Sequence, residues 1–175
     1  MLEGKNVNLR VMEKEDVPLR TDWYNNPEFL GEFVWVPQFS RKDREKAYEN
    51  MPPDTKVFFI EKKDGTKIGS ISHFLEGSLL EIGYILTSGE RGKGYCTEAV
   101  QIMVDYLFLS RETVRIQAKT DPRNLASQRV LEKVGFKKEG TLRKSLFLKG
   151  KWADLSVYSI LREEWKEPKI LTKTL

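Results

Sequence analysis

Residues 78–100, SLLEIGYILTSGERGKGYCTEAV, run from a strand-like segment through a glycine-bearing turn straight into a helical pattern. The start of a helix leaves backbone N–H groups without intrahelical partners and carries partial positive charge, so it attracts anions. Arg91 and Lys93 add full charges there, and Gly92 and Gly94 permit positive φ and close approach of a ligand to the backbone. A phosphate is the natural guest of such a turn. A tight surface turn dressed with cations is the competing reading, and this segment by itself leaves both open. Two common phosphate loops are excluded. Gly92-Lys93 is followed by Gly94 where a P-loop needs Ser or Thr, and Thr87 stands in place of its first glycine. Gly92-x-Gly94 is followed by Thr97 where a dinucleotide-binding turn needs a third glycine.

The flanking sequence supplies a frame. Val7–Met12 alternates and predicts a first strand. Glu15–Asn25 predicts a helix stopped by Pro27, and Ser40 caps a second, strongly charged helix over RKDREKAYEN. VFFIEKK and KIGSISHF predict two strands joined through Asp64-Gly65, a hairpin signal. Ser78–Leu86 predicts a fourth strand, in which Gly83 weakens the ladder and marks a candidate bulge. The helix after the turn extends to about Leu109 and is apolar over much of its surface, which predicts burial. Thr113–Thr120 predicts a fifth strand. Asn124 caps LASQRVLEKV, Gly135 ends it, and Phe136 is placed to pack back on Leu131. Two long strands turn at Lys149-Gly150. The order β-α-α-β-β-β-α-β-α-β-β predicts an α/β (α+β) fold, a mixed sheet with helices on its faces. A single domain is expected over residues 1–165, followed by a tail over 166–175.

Composition narrows the class. A chain of 175 residues suits one core, and 39% hydrophobic with 32% charged residues excludes disorder. No apolar run approaches the roughly 18 residues a membrane span needs, and MLEGKNVNLR has no apolar signal region. No membrane association is therefore expected. Cys96 is the only cysteine, which rules out an internal disulfide and, without an export signal, predicts the cytoplasm. The net charge of +4 is spread over 30 cations and 26 anions, so no direct nucleic-acid binding is expected. No metal site is predicted.

Arg91-Gly92-Lys93-Gly94-Tyr95-Cys96 resembles the signature of the GNAT family of acyl-CoA-dependent N-acyltransferases: Gln or Arg, two residues, Gly, one residue, then Gly or Ala. The TEAV that follows also looks like the family. Asp121–Phe136, DPRNLASQRVLEKVGF, resembles the N-x-x-S…G-F segment of the RimJ/RimL-like branch, as do EIGYIL and YSILREEW. The resemblance spans Val7 to Trp165 and is least specific before Val57, where the acceptor is usually chosen. It implies the GNAT fold, with a mostly antiparallel sheet of about seven strands and helices on both faces. It implies acetyl-CoA (coenzyme A) as co-substrate. The backbone amides of Arg91, Gly92, Lys93, Gly94, Tyr95, Cys96 and Thr97 are then expected to hold its pyrophosphate, with Leu86 and Asn124 as further cofactor contacts and Asn124 on the pantetheine arm. Cys96 departs from the signature's Gly or Ala; as a small hydrophobe it is expected to leave the loop intact.

Direct acyl transfer needs a neutral amine, a base for its proton, and help for the departing thiolate. Glu81, ahead of the family's splayed segment, is the candidate base, acting through water. The competing role is a rim carboxylate that pairs with a lysine or attracts a cationic substrate. Ser127 follows Asn124 by one helical turn; the resemblance places it near the thiolate as a candidate proton donor. Asn124 also reads as a simple helix cap. His73 has the pKa of a base, but alternation puts it at a strand end as a solvated or packed side chain. Cys96 as an acylated nucleophile is disfavoured by a position facing pyrophosphate. Glu32–Phe39 and Trp152–Asp154 are expected to form opposite lips of the acceptor opening, with Trp23, Trp35, Trp152, Phe33 and Phe39 mostly packing in core or lid. The expected acceptor is a primary amine, and RimJ/RimL relatives suggest a protein N-terminal α-amine. Small amines (polyamines, amino sugars, aminoglycosides) are the rival substrates. A non-catalytic acyl-CoA sensor or a ribosome-binding module is the rival from another class. A monomer or homodimer is expected.

Overall fold

A computed structural model describes residues 1–170. Its strands are β1 (Leu2–Glu3), β2 (Val7–Val11), β3 (Lys56–Lys62), β4 (Lys67–Glu76), β5 (Leu79–Leu86), β6 (Arg115–Thr120), β7 (Lys137–Leu148) and β8 (Lys151–Leu161). Its helices are α1 (Val17–Asn25), α2 (Pro27–Leu30), α3 (Arg41–Glu49), α4 (Tyr95–Ser110) and α5 (Leu125–Val134). The strands form one sheet in the order β1-β2-β3-β4-β5-β6-β8-β7. The two-residue β1 raises the count to eight from the expected seven or so. The four-residue α2 carries no periodicity and was not predicted; Asn26 caps it by accepting from the Glu28 amide. The helix expected from Glu15 opens as a 3-10 turn over Lys14–Asp16 and becomes α-helical at Val17, with Pro18 in its first turn, where the missing N–H costs nothing.

Alternation along β3 decides which helices go where. Phe58 points to one face, into a core made by Ile71, Ile82, Ile116 and the α4 residues Ala99, Ile102, Met103 and Leu107. Leu131 and Val134 of α5 join the same core. Phe59 points to the other face, where it packs with Met12, Val57 and Val17 under α1 and α3. Helices thus cover both faces, as the order of elements implied. Gly135 ends α5 at φ 112°, and the Phe136 amide returns to the Leu131 carbonyl at 3.0 Å, the expected Schellman stop.

Every strand pair is antiparallel except β5–β6, and that parallel ladder is only two rungs long: Leu80 opposite Ile116 and Glu81 opposite Gln117. Beyond Glu81 the two strands part, and a wedge opens between them. Gly83 does not form the expected bulge. It pairs with Ser72 of β4 in unbroken register. The irregularity lies on the other edge of β5, as the loss of pairing with β6.

His73 is not at a strand end. It pairs within β4 with Lys56 on one side and Ile82 on the other, is fully buried, and lies 6.3 Å from the Phe58 and Tyr106 rings. Burial, with Arg111 adding to it, pushes its pKa down to about 4, so it is a neutral core residue and leaves the list of candidate bases.

Trp165 Nε1 donates to Asp105 at 2.9 Å, and the amides of Lys169 and Ile170 donate to the same carboxylate. The start of the expected tail therefore lies along α4; residues 171–175 of it fall outside the described residues. Among the described residues, no helix is long and apolar enough to cross a membrane.

Candidate active site

The wedge leads into a cavity of about 700 Å³. Its walls are the segment Leu30–Val34, the end of β5 (Tyr84, Ile85, Leu86), the turn and first residues of α4, and one side of α5 (Asn124, Ser127, Arg129, Val130, Lys133). Of the eleven residues expected from sequence to act in catalysis or hold the cofactor, nine line this one cavity: Leu86, Arg91, Gly92, Gly94, Tyr95, Cys96, Thr97, Asn124 and Ser127. Lys93 and Glu81 do not.

The turn has the conformation its glycines suggested. Gly92 (φ 78°) and Gly94 (φ 86°) are both left-handed, and Gly94 is the N-cap of α4 with no side chain capping the helix. A Cβ built at either glycine meets nothing within 4 Å. The first amides of a sixteen-residue helix thus face open space beside the lining cations Arg91, Arg129 and Lys133. That combination fits a polyphosphate ligand such as coenzyme A.

Arg91 has a second task. Its Nη2 donates to the Phe29 carbonyl at 2.7 Å and its Nε to the Leu86 carbonyl at 3.1 Å. It staples α2 to the end of β5 and holds a cavity wall in place. Lys93 turns outward and pairs with Glu90 at 2.9 Å, which explains its absence from the lining. Cys96 does line the cavity, but burial pushes its thiol up to about 12, against an opposing pull from Arg91. A thiol so rarely ionised is a poor nucleophile.

Asn124 caps α5: its Oδ1 accepts from the Ser127 amide at 3.1 Å. Among the described residues the cap uses only the oxygen, which leaves the amide NH2 for a ligand. Ser127 Oγ lies 2.9 Å from the Tyr84 hydroxyl, whose one hydrogen has the Ser127 carbonyl at 3.3 Å as an alternative acceptor. Burial holds the Tyr84 phenol well above its ordinary range, so it stays protonated. Tyr84 is the cavity residue that sequence reasoning missed. The signal was present: alternation from Leu80 through Ile82 puts Tyr84 on the face of α4 and α5, and a buried phenol needs a polar partner there.

Glu81 stands at the vertex of the wedge but on the opposite face of the sheet, with Gln117. Its Oε2 accepts from Gln117 Nε2 at 2.8 Å and lies 3.2 Å from Lys119 Nζ, while Lys119 also pairs with Glu76. Burial raises the Glu81 pKa and the neighbouring Glu76 adds to this, whereas Gln117 and Lys119 act the other way. The lysine partner named in the rim-carboxylate reading is therefore present, and so is the upward shift that suits a base.

A contact forms next to the two expected lips, at residues outside both ranges. Lys149, at the turn between β7 and β8, donates from Nζ to the Gly31 carbonyl of the cavity wall at 3.1 Å. Trp23 packs inward, stacked on Phe29 at 4.8 Å. Trp35 and Trp152, expected mostly to pack, are instead 57% and 61% exposed.

Comparison with known proteins agrees with this geometry. The family described as "Acetyltransferase (GNAT) domain" matches residues 6–137. The chain is 35% identical to the "Probable N-acetyltransferase YjcK" of Bacillus subtilis (strain 168) over 94% of this chain and 98% of that protein. Among solved structures it is similar in fold to a spermidine N-acetyltransferase of Vibrio cholerae in complex with CoA and spermine (TM-score 0.83, 20% identity, 91% and 98% of the two chains). A ribosomal-protein-S5-alanine acetyltransferase of Vibrio fischeri is similar as well (TM-score 0.79, 24% identity, 94% and 97%). The chain belongs to the GNAT family and is an N-acetyltransferase that takes acetyl-CoA as its co-substrate.

Proposed function

We propose that the acceptor is a protein N-terminal α-amine, as in the RimJ/RimL-like branch, and that a cytoplasmic enzyme transfers the acetyl group to it directly. The observation that carries this reading is the charge of the cavity. Among the described residues, its lining holds three cations, Arg91, Arg129 and Lys133, and a single carboxylate, Glu32. The cations suit the phosphates of coenzyme A. On the face by which the amine enters, Glu81 and Glu76 are both already met by Lys119, so a polyamine finds neither carboxylate free there for its further charges, whereas a peptide end brings one amine. An α-amine has a pKa near 8 and a lysine amine near 10.4, so roughly a tenth of the α-amine is neutral at pH 7 and needs no base in the site to begin with.

In this mechanism acetyl-CoA lies with its pyrophosphate on the amides of residues 91–97 and its pantetheine beside Asn124. The amine enters from the Glu81 face of the wedge. Its nitrogen attacks the thioester carbonyl, the carbon–sulfur bond breaks, and Ser127 gives a hydrogen bond to the thiolate that leaves. Glu81 takes the amine's proton through water. Glu81→Gln keeps shape and removes charge; kcat/KM is expected to fall about 10²-fold, with partial recovery as rising pH supplies neutral amine. A rise in KM at constant kcat would instead assign Glu81 to acceptor binding. Free-thiol release with peptides, spermidine and an aminoglycoside tests the acceptor: peptides are expected to be turned over best. Preference for spermidine contradicts the reading, and acetyl-CoA binding without thiol release from any amine marks a sensor.

A further inference from the structure

The hairpin of β7 and β8 is cationic and leans on the cavity wall. Lys149 and Gly150 form its two-residue turn, both at positive φ (49° and 79°), which is the tight turn that matches strand twist. The Lys149–Gly31 contact fixes this turn against the cavity. Arg143, Lys144, Lys149 and Lys151 are all exposed, and among the described residues none has a carboxylate within ion-pair distance. Lys42 and Lys46 likewise have no acidic partner among the described residues, so it is the gathering of four such cations along one hairpin that distinguishes this surface.

Two features show that this surface is held in shape. Lys144 sits at φ 49°, a strained conformation for a side chain of its size, and its amide is anchored by Asp154 Oδ1 at 2.8 Å. The register of the two strands shifts there, between Leu142 and Leu146. Phe147 and Trp152 face each other across the strands with ring centroids 5.5 Å apart, both more than half exposed, on the face of the hairpin opposite to Lys151. From the turn back to Arg143 the hairpin runs about 15–20 Å at the rise of a strand, the length of roughly five extended residues.

We infer that this hairpin docks the acceptor chain and selects N-terminal segments rich in Asp and Glu within about five residues of the amine. The four cations without a carboxylate partner supply charge complementarity along the hairpin, and the Lys149–Gly31 contact makes it continuous with the cavity. This rests on the α-amine reading above. The same field repels a polyamine.

The test uses two peptides with the same first residue, one with Asp and Glu at positions 2–5 and one with Asn and Gln there. Initial thiol-release rates are measured at low and high salt, with spermidine as a third acceptor. The acidic peptide is expected to have a kcat/KM about tenfold above its neutral twin, an advantage that shrinks with added salt. In the Arg143→Gln/Lys151→Gln variant the ratio of the two peptides is expected to fall towards one, with Tm and acetyl-CoA affinity checking the fold. Equal rates for both peptides in the wild-type enzyme overturn the docking site and leave the α-amine reading standing. An acidic preference that survives unchanged in the folded variant overturns the assignment to this hairpin. Spermidine turned over in preference to both peptides overturns both readings. If the variant does not fold, the wild-type peptide ratio and its salt dependence decide.

Discussion

The hydroxyls of Tyr84 and Ser127 lie 2.9 Å apart and tie the end of β5 to the start of α5 across the wall of the wedge. A serine hydroxyl is a poor acid by itself. Either hydroxyl can donate in this contact; when the protonated Tyr84 phenol donates to Ser127 Oγ, the serine's own hydrogen is free to point at another group. Ser127→Ala is expected to lower kcat the most. Tyr84→Phe removes one hydrogen bond of orientation, and kcat should fall about 3- to 10-fold with little change in the KM for acetyl-CoA. Steady-state kinetics at saturating acetyl-CoA check this, with chemistry shown to be rate-limiting. An unchanged kcat in Tyr84→Phe would remove the pair from the mechanism.

Gly94 combines positive φ with open space at the start of α4. Gly94→Val puts a β-branched side chain where backbone and phosphate meet. Coenzyme A affinity by calorimetry is expected to fall at least about tenfold, or roughly 1.4 kcal/mol. An unaltered affinity in a folded variant contradicts a pyrophosphate site at this turn.

Cys96 lines the cavity with its thiol held neutral by burial. Cys96→Ala should keep its activity, and no acetyl adduct should appear on the wild-type protein by intact-mass measurement after mixing with acetyl-CoA alone. A covalent adduct together with an inactive, folded variant would show a two-step reaction through the thiol.

Much of this was legible in the sequence because it depends on short-range chemistry. The Ser40 and Asn124 caps, the Gly135 stop and the Lys149-Gly150 turn each follow from a few neighbouring residues and appear as expected. The wedge did not follow from Gly83 alone, since the parting of β5 and β6 is a matter of how two strands far apart in sequence pair. The Tyr84–Ser127 contact and the Glu81–Lys119 pair are likewise long-range. His73 was misplaced because alternation says which face a residue takes and says nothing about where its strand stops. Lys93 was placed at the ligand by its position in the motif, but its side chain is drawn outward by Glu90, three residues earlier.

His73 also gives the fold a pH dependence. Its folded pKa of about 4 lies below the ordinary value near 6.5, with Arg111 and Lys56 opposing a further charge and Asp54 favouring one. Between those values the unfolded chain binds more protons. Stability from this residue is therefore complete above about pH 6.5 and is lost as pH falls towards 4, by about 3 kcal/mol in all. His73→Leu should flatten that part of the curve in urea unfolding at stepped pH. The same slope in wild type and variant would assign the acid lability to other groups.

The α-amine assignment is tested most directly by giving the wild-type enzyme acetyl-CoA and one peptide that carries both a free N-terminus and an internal lysine. Fragmentation mass spectrometry then locates the acetyl group. The expected product is acetylated on the α-nitrogen, with the lysine unmodified. Acetylation of the lysine side chain, or none on this peptide while spermidine is consumed, contradicts the account.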